Sequence, residues 1–132
     1  MKRMGRPREF DEDEVIRKAV ELFGERGFNA LPVDAILSHL GINRSSFYKI
    51  FGSKHGLLRA AIETVNRDAK AGNVTDNAKN LVVVTLVEVA PLSQEMRSLI
   101  LDASTLCFDE DSAALGNHLI DRASGKLQGD NL

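Results

Sequence analysis

Gly41-Ile42-Asn43-Arg44-Ser45-Ser46-Phe47-Tyr48-Lys49-Ile50-Phe51-Gly52-Ser53-Lys54 is the stretch on which the reading turns. Asn43 is a good N-cap, so a short helix is predicted from Arg44 to about Phe51. On that helix Phe47, Ile50 and Phe51 share the inward face. Arg44, Ser45, Tyr48 and Lys49 are left outward, with no acid among them. A second short helix is predicted just upstream, from about Val33 to Leu40, with Ile36, Leu37 and Leu40 inward. Gly41 supplies the tight turn between the two, and Pro32 suits the first turn of the earlier helix.

Further upstream, Asp11 caps a longer helix. Glu14 stands three residues on, an acidic variant of the capping box. Val15, Ile16, Ala19, Val20, Leu22 and Phe23 trace one face of it, and Gly27 ends it. One longer helix followed by two short ones about a glycine turn is the helix-turn-helix pattern. Downstream, a fourth helix begins near Ser53, runs through Leu57, Leu58, Ala61, Ile62 and Val65, and fades at Ala71-Gly72-Asn73. Residues 72–80 are small and polar and read as a linker or loop. Leu81–Ala90 has strand-like propensity but helical neighbours, and is taken as a buried helix that Pro91 stops. Leu92, Met96, Leu99, Ile100, Ala103, Leu106 and Cys107 recur at helical spacing. A last helix from about Asp111 carries Leu115, Leu119, Ala123 and Leu127. The expected fold class is therefore all-α.

The outward face of the 44–51 helix has the chemistry of a major-groove reader. Arginine bonds in bidentate fashion to guanine O6 and N7, worth roughly 1–3 kcal/mol of discrimination. Serine reaches base edges or phosphates, and tyrosine and lysine reach phosphates. Lys54 falls at the start of the fourth helix, where its charge and the free backbone N–H groups together attract a phosphate. Charge placement supports this. The 132-residue chain has net charge −2, yet residues 1–60 hold eleven Lys/Arg against eight Asp/Glu. No acid lies between Asp34 and Glu63, whereas Arg44, Lys49, Lys54 and Arg59 all do. Residues 61–132 are acidic. A basic stretch joined to an acidic half suits a DNA-contacting head on a separate body.

Other classes find little support. There is no phosphate loop, no dinucleotide fingerprint, no H-E-x-x-H and no Cys/His cluster with metal spacing, so neither an enzyme nor a cofactor or metal site is expected. No apolar run approaches membrane-spanning length, and the basic N-terminus has no apolar core behind it. The single cysteine, Cys107, fits a reducing, cytoplasmic setting and reads as a buried core thiol. His39, His55 and His118 are scattered and read as surface or packing residues.

Residues 5–65 resemble the DNA-binding domain of the tetracycline-repressor (TetR) family. The arm Gly5-Arg6-Pro7-Arg8 with Phe10-Asp11 is similar to a common opening there. Ala19 … Leu22-Phe23 … Arg26-Gly27-Phe28 is similar to the first-helix signature. Gly41–Tyr48, Phe51–Lys54 and Leu57-Leu58 are similar to the turn, the recognition helix and the start of the fourth helix. Val87–Pro91 looks like a piece of the effector domain of some members. The resemblance implies a DNA-binding domain with a basic arm at 1–52 and a helical ligand-binding and dimerisation domain, short for the family, at 53–132. It implies a homodimer on a double-stranded, pseudo-palindromic DNA operator, usually as a repressor, released by a small molecule. From the apolar helices beyond Leu81 that effector is expected to be apolar or amphipathic.

Carried over residue by residue, Arg44, Ser45 and Ser46 face bases or nearby phosphates, and Tyr48, Lys49 and Lys54 hold the backbone. Arg6 and Arg8 enter the flanking minor groove, where arginine suits the negative potential. One departure is Leu31-Pro32, which stands where the family usually has a Thr/Ser pair that caps the second helix and touches a phosphate. The alternative is a reduced member that lacks an effector pocket and acts by pairing with another regulator.

Overall fold

The computed structural model describes residues 11–126. Among them the chain forms α1 (Glu12–Arg26), α2 (Val33–Leu40), α3 (Arg44–Phe51), α4 (Lys54–Lys70), α5 (Asp76–Glu88), α6 (Gln94–Phe108) and α7 (Ser112–Ala123), with no strand. The all-α expectation is met, and Leu81–Glu88 is helix, not strand.

The caps explain most boundaries. The Asp11 side chain accepts from the backbone N–H groups of Asp13 at 3.0 Å and Glu14 at 3.4 Å. Glu14 turns along the helix instead of back, its carboxylate 3.7 Å from Lys18 Nζ. Asn43 accepts from Ser46 N at 2.7 Å and Ser53 from Gly56 N at 2.9 Å, which starts α3 and α4. Pro32 proves to be the N-cap of α2, one place before its first turn, and α2 has no side-chain cap bond. Leu31 beside it is buried, so this pair contributes packing in place of capping hydroxyls.

Two expectations are corrected. The proposed loop at 72–80 is half helix: Thr75 caps α5 by accepting from Ala78 N at 3.1 Å, and Ala78 and Asn80 are buried. The last helix is rotated from its predicted phase. Leu119 and Ala123 are exposed and Leu115 is half-buried, whereas His118 is buried. The cause is tertiary. His118 Nε2 lies 2.8 Å from Asn80 Oδ1 on α5, and Arg122 donates to the Gly24 carbonyl of α1. These bonds set the contact face that the hydrophobic spacing suggested wrongly. Leu127 lies outside the described residues.

One apolar core runs from Val15, Phe23, Phe28 and Phe47 through Leu57, Leu58 and Leu81 to Ile100 and Phe108. Helix α1 packs on both α4 and α5, and α6 packs on α4 and α5. The approach of α1 to α5 requires Gly24, where an added Cβ would meet the Asn80 Cβ at 2.9 Å. Arg17 joins α1 to α4, donating to Asp68 at 2.7 Å while also bonding Asp13. Those two carboxylates hold the guanidinium firmly protonated, and Arg17 in turn lowers the Asp68 pKa. Arg97 closes the α5–α6 turn, bonding the carbonyls of Ala90 at 2.9 Å and Pro91 at 3.2 Å. No helix among the described residues is long and apolar enough to cross a membrane.

Candidate nucleic-acid interface

Helix α3 is anchored by one side chain. Phe47 is fully buried, with Tyr48 edge-on at 4.9 Å and Phe51 tilted at 5.9 Å. Ile50 and Phe51 are only half-buried. Fixing Phe47 inward leaves Arg44, Ser45, Tyr48 and Lys49 exposed along the outer side, and Ser46 half-buried. The tyrosine is 43% exposed, enough for its hydroxyl to reach outward while its ring rests on Phe47. No acid occurs on α3 itself.

Two of the named residues have partners that local pattern did not show. Arg44 Nη2 is paired with Asp34 Oδ1 of α2. Both side chains are largely exposed, so this surface pair is weak and open to exchange for a base or a phosphate. The Lys54 ammonium lies over the Phe28 ring, 4.4 Å from its centroid. Partial burial there lowers its pKa, opposed by the charge of Glu88. Lys54 therefore has its stem and head against the turn after α1, a cation–π contact worth about 0.5–2 kcal/mol. His55 stands next to it, exposed and edge-on to Phe28 at 5.0 Å. Arg44, Ser45, Ser46, Tyr48 and Lys49 are thus gathered on one helix, and Lys54 stands apart at the start of the next. Arg6 and Arg8 lie outside the described residues.

The comparisons fall on this same segment. Residues 15–61 match the family described as bacterial regulatory proteins, tetR family. Over this segment, about a third of its length, the chain is similar to the tetR family. It is 43% identical over 61 residues to the uncharacterized HTH-type transcriptional regulator YezE of Bacillus subtilis, covering 46% of this chain and 31% of that protein. It is 44% identical over 66 residues to the HTH-type transcriptional repressor BdcR of Escherichia coli, 49% of this chain and 34% of the relative. Against the E. coli HTH-type transcriptional repressor ComR the identity is 34% over 62 residues, 47% and 30% of the two chains. The likeness spans about a third of the length of these relatives, and no solved structure matches significantly.

A groove of about 560 Å³ lies between α4 and α6. Leu99 and Leu106 give it apolar lining, and Arg67, Lys70 and Asp102 line it with charge. Asn66 also lines it; this side chain is buried, and its Oδ1 has no hydrogen-bond partner. A buried amide left unbonded is costly, roughly 1–3 kcal/mol. Sequence reasoning missed Asn66, Asp34 and Glu88. Only Asp34 had a local signal, as an acid in the first turn of the helix before the reader.

Proposed function

We propose that this chain is a DNA-binding transcriptional regulator acting as a repressor on a pseudo-palindromic operator. The reading treats residues 1–52 as the head and residues 53–132 as the body of a homodimer. The observation that carries it is the acid-free outer face of α3, with Arg44, Ser45, Tyr48 and Lys49 exposed about a buried Phe47 in the segment that matches the family. Arg44 and Ser45 meet base edges; Tyr48, Lys49 and the Ser46 hydroxyl meet the sugar-phosphate backbone. Arg6 and Arg8 extend the footprint into the minor groove. Lys54 contributes its charge from the start of α4.

Selection from a random double-stranded DNA library at moderate salt tests this directly. The expected result is a two-fold symmetric motif with half-sites about 34–36 Å apart, or a multiple of that. Affinity for the winning duplex falls linearly with log salt, as phosphate neutralisation requires. Recovery of no motif by folded protein would refute autonomous operator reading.

The groove between α4 and α6 supports release by a small molecule. Its size suits a ligand pocket, and its lining suits an amphipathic compound that offers Asn66 a donor. A compound present at a hundred times its Kd stabilises the fold by roughly 2.7 kcal/mol. A thermal-shift screen of amphipathic compounds is expected to find one that also lowers DNA affinity. A screen with no stabilising compound would remove the effector from the proposal.

A further inference from the structure

The turn that leads from α1 into the helix-turn-helix is held from the body by two charges of opposite sign. Glu88, the last residue of α5, places its Oε1 where it accepts from the backbone N–H of Phe28 at 2.9 Å and of Asn29 at 2.8 Å. The Asn29 side chain answers by donating to the Glu88 carbonyl at 3.3 Å. From α7, Arg122 donates Nε at 3.1 Å and Nη2 at 2.7 Å to the Gly24 carbonyl at the end of α1. The pattern is electrostatically coherent. The carbonyl end of a helix attracts a cation, and the free amides just beyond it attract a carboxylate. Gly27 is part of the fit, because its φ of 88° is left-handed and an added Cβ would lie 2.9 Å from Glu88 Oε2.

We infer that Glu88 is a positioning residue for DNA reading, setting the pose of α2 and α3 through the Phe28–Asn29 turn. The inference rests on the DNA-binding reading above. The path is short. The turn passes through buried Leu31 and exposed Pro32 straight into α2. With no side-chain cap of its own, α2 takes its entry geometry from that turn. Helix α2 in turn carries Asp34, which holds Arg44 of the recognition helix. Phe28 also seats Lys54, so the same turn places a second cation, at the start of α4.

Three variants separate geometry from charge. Glu88→Gln keeps an Oε1 acceptor without the charge, Glu88→Asp keeps the charge on a stem one methylene too short, and Glu88→Ala removes both. Each is titrated against the duplex selected by the parent chain, well below its melting temperature. Amide exchange at Phe28, Asn29 and along α2 and α3 is followed without DNA. Positioning predicts at least tenfold weaker binding and at least tenfold faster exchange at Phe28 and Asn29 for Asp and Ala. Gln stays within about threefold of the parent in both. Asn29→Ala, an exposed change that leaves the carboxylate in place, loses a few-fold at most. Binding retained by Asp and lost by Gln would overturn positioning in favour of a charge effect on Lys54. Affinity unchanged in all three variants would overturn it outright. Failure of the parent to bind any duplex would refute the DNA reading and this role with it. In that event unchanged exchange in Glu88→Ala would also dismiss the hold itself.

Discussion

Replacing Asp34 with asparagine is expected to tighten DNA binding, and the structure sets how much. Asp34 is the acid nearest the reading face, and it engages Arg44 through one guanidinium nitrogen. The side chains are 54% exposed for Arg44 and 80% for Asp34, so solvent screens the pair and its worth is about 0.2–1 kcal/mol. That energy must be given up before Arg44 reaches a base, so Asp34→Asn should strengthen binding by at most about fivefold. Asp34 also sits in the first turn of an uncapped helix, where a carboxylate contributes about 0.3–1 kcal/mol through the helix dipole. The melting temperature should therefore fall by a few degrees while affinity rises, two effects of opposite sign from one change. Fluorescence anisotropy on the selected duplex measures the first and thermal unfolding the second. The double variant with Arg44→Ala completes the cycle, because the gain should vanish once the arginine is gone. Two results would refute the reasoning. One is that Asp34→Asn weakens binding as much as Arg44→Ala does, which would make Asp34 an orienting group; the other is that its gain persists undiminished without Arg44.

Arg44→Ala should weaken binding to the selected site by roughly 1–3 kcal/mol and relax preference at one base position, read by repeating the selection with the variant. Burial lowers the pKa of His118. The unfolded chain then takes up the proton first, so this contribution is full above about pH 6.5 and is lost as pH falls below it, by no more than ~1.4 kcal/mol per pH unit. Urea unfolding at pH 7.5 and 5.5 should show a larger acid loss for the parent than for His118→Gln, and equal losses would remove the histidine from the account. Burial pushes the Cys107 thiol up to about 11. Its reaction with a disulfide reagent at pH 8 should be on the order of a hundredfold slower in the folded chain than in urea; comparable rates would show the helix opening readily.

The head was legible because its punctuation is local. Asn43 bonds an amide three residues away, Gly41 ends α2 in a left-handed conformation, and Phe47 alone decides which side of α3 faces out. Each of those facts sits within one helical turn of its cause, so residue type and spacing suffice. The start of α5 shows where this fails. Asp76-Asn77-Ala78-Lys79-Asn80 is polar and small, and nothing near it says that Asn80 will be buried. Asn80 is tolerated inside because His118, thirty-eight residues on, meets its carbonyl. That bond and the Arg122–Gly24 bond account for the wrong phase of α7, and the Thr75 cap with the burial of Asn80 accounts for the missed helix start.

The same division governs the candidate site. Which side chains α3 presents was readable from the sequence; what restrains them was not. Arg44 looked like an unpaired base reader, yet its partner stands ten residues back on another helix. Lys54 looked like a phosphate ligand at a helix start, yet it rests on Phe28 under the charge of Glu88. Glu88 itself offered no sequence signal, being one acid at the end of an apolar run, although it holds two amides some sixty residues away. In a small helical protein the surface chemistry of a recognition helix follows from its period. The orientation of that helix follows from a few long-range polar bonds to turns. Substitution of the base reader Arg44 should therefore change which sequence is bound, whereas Glu88→Asp or Glu88→Ala, which break the hold on the turn, should weaken binding to every sequence alike.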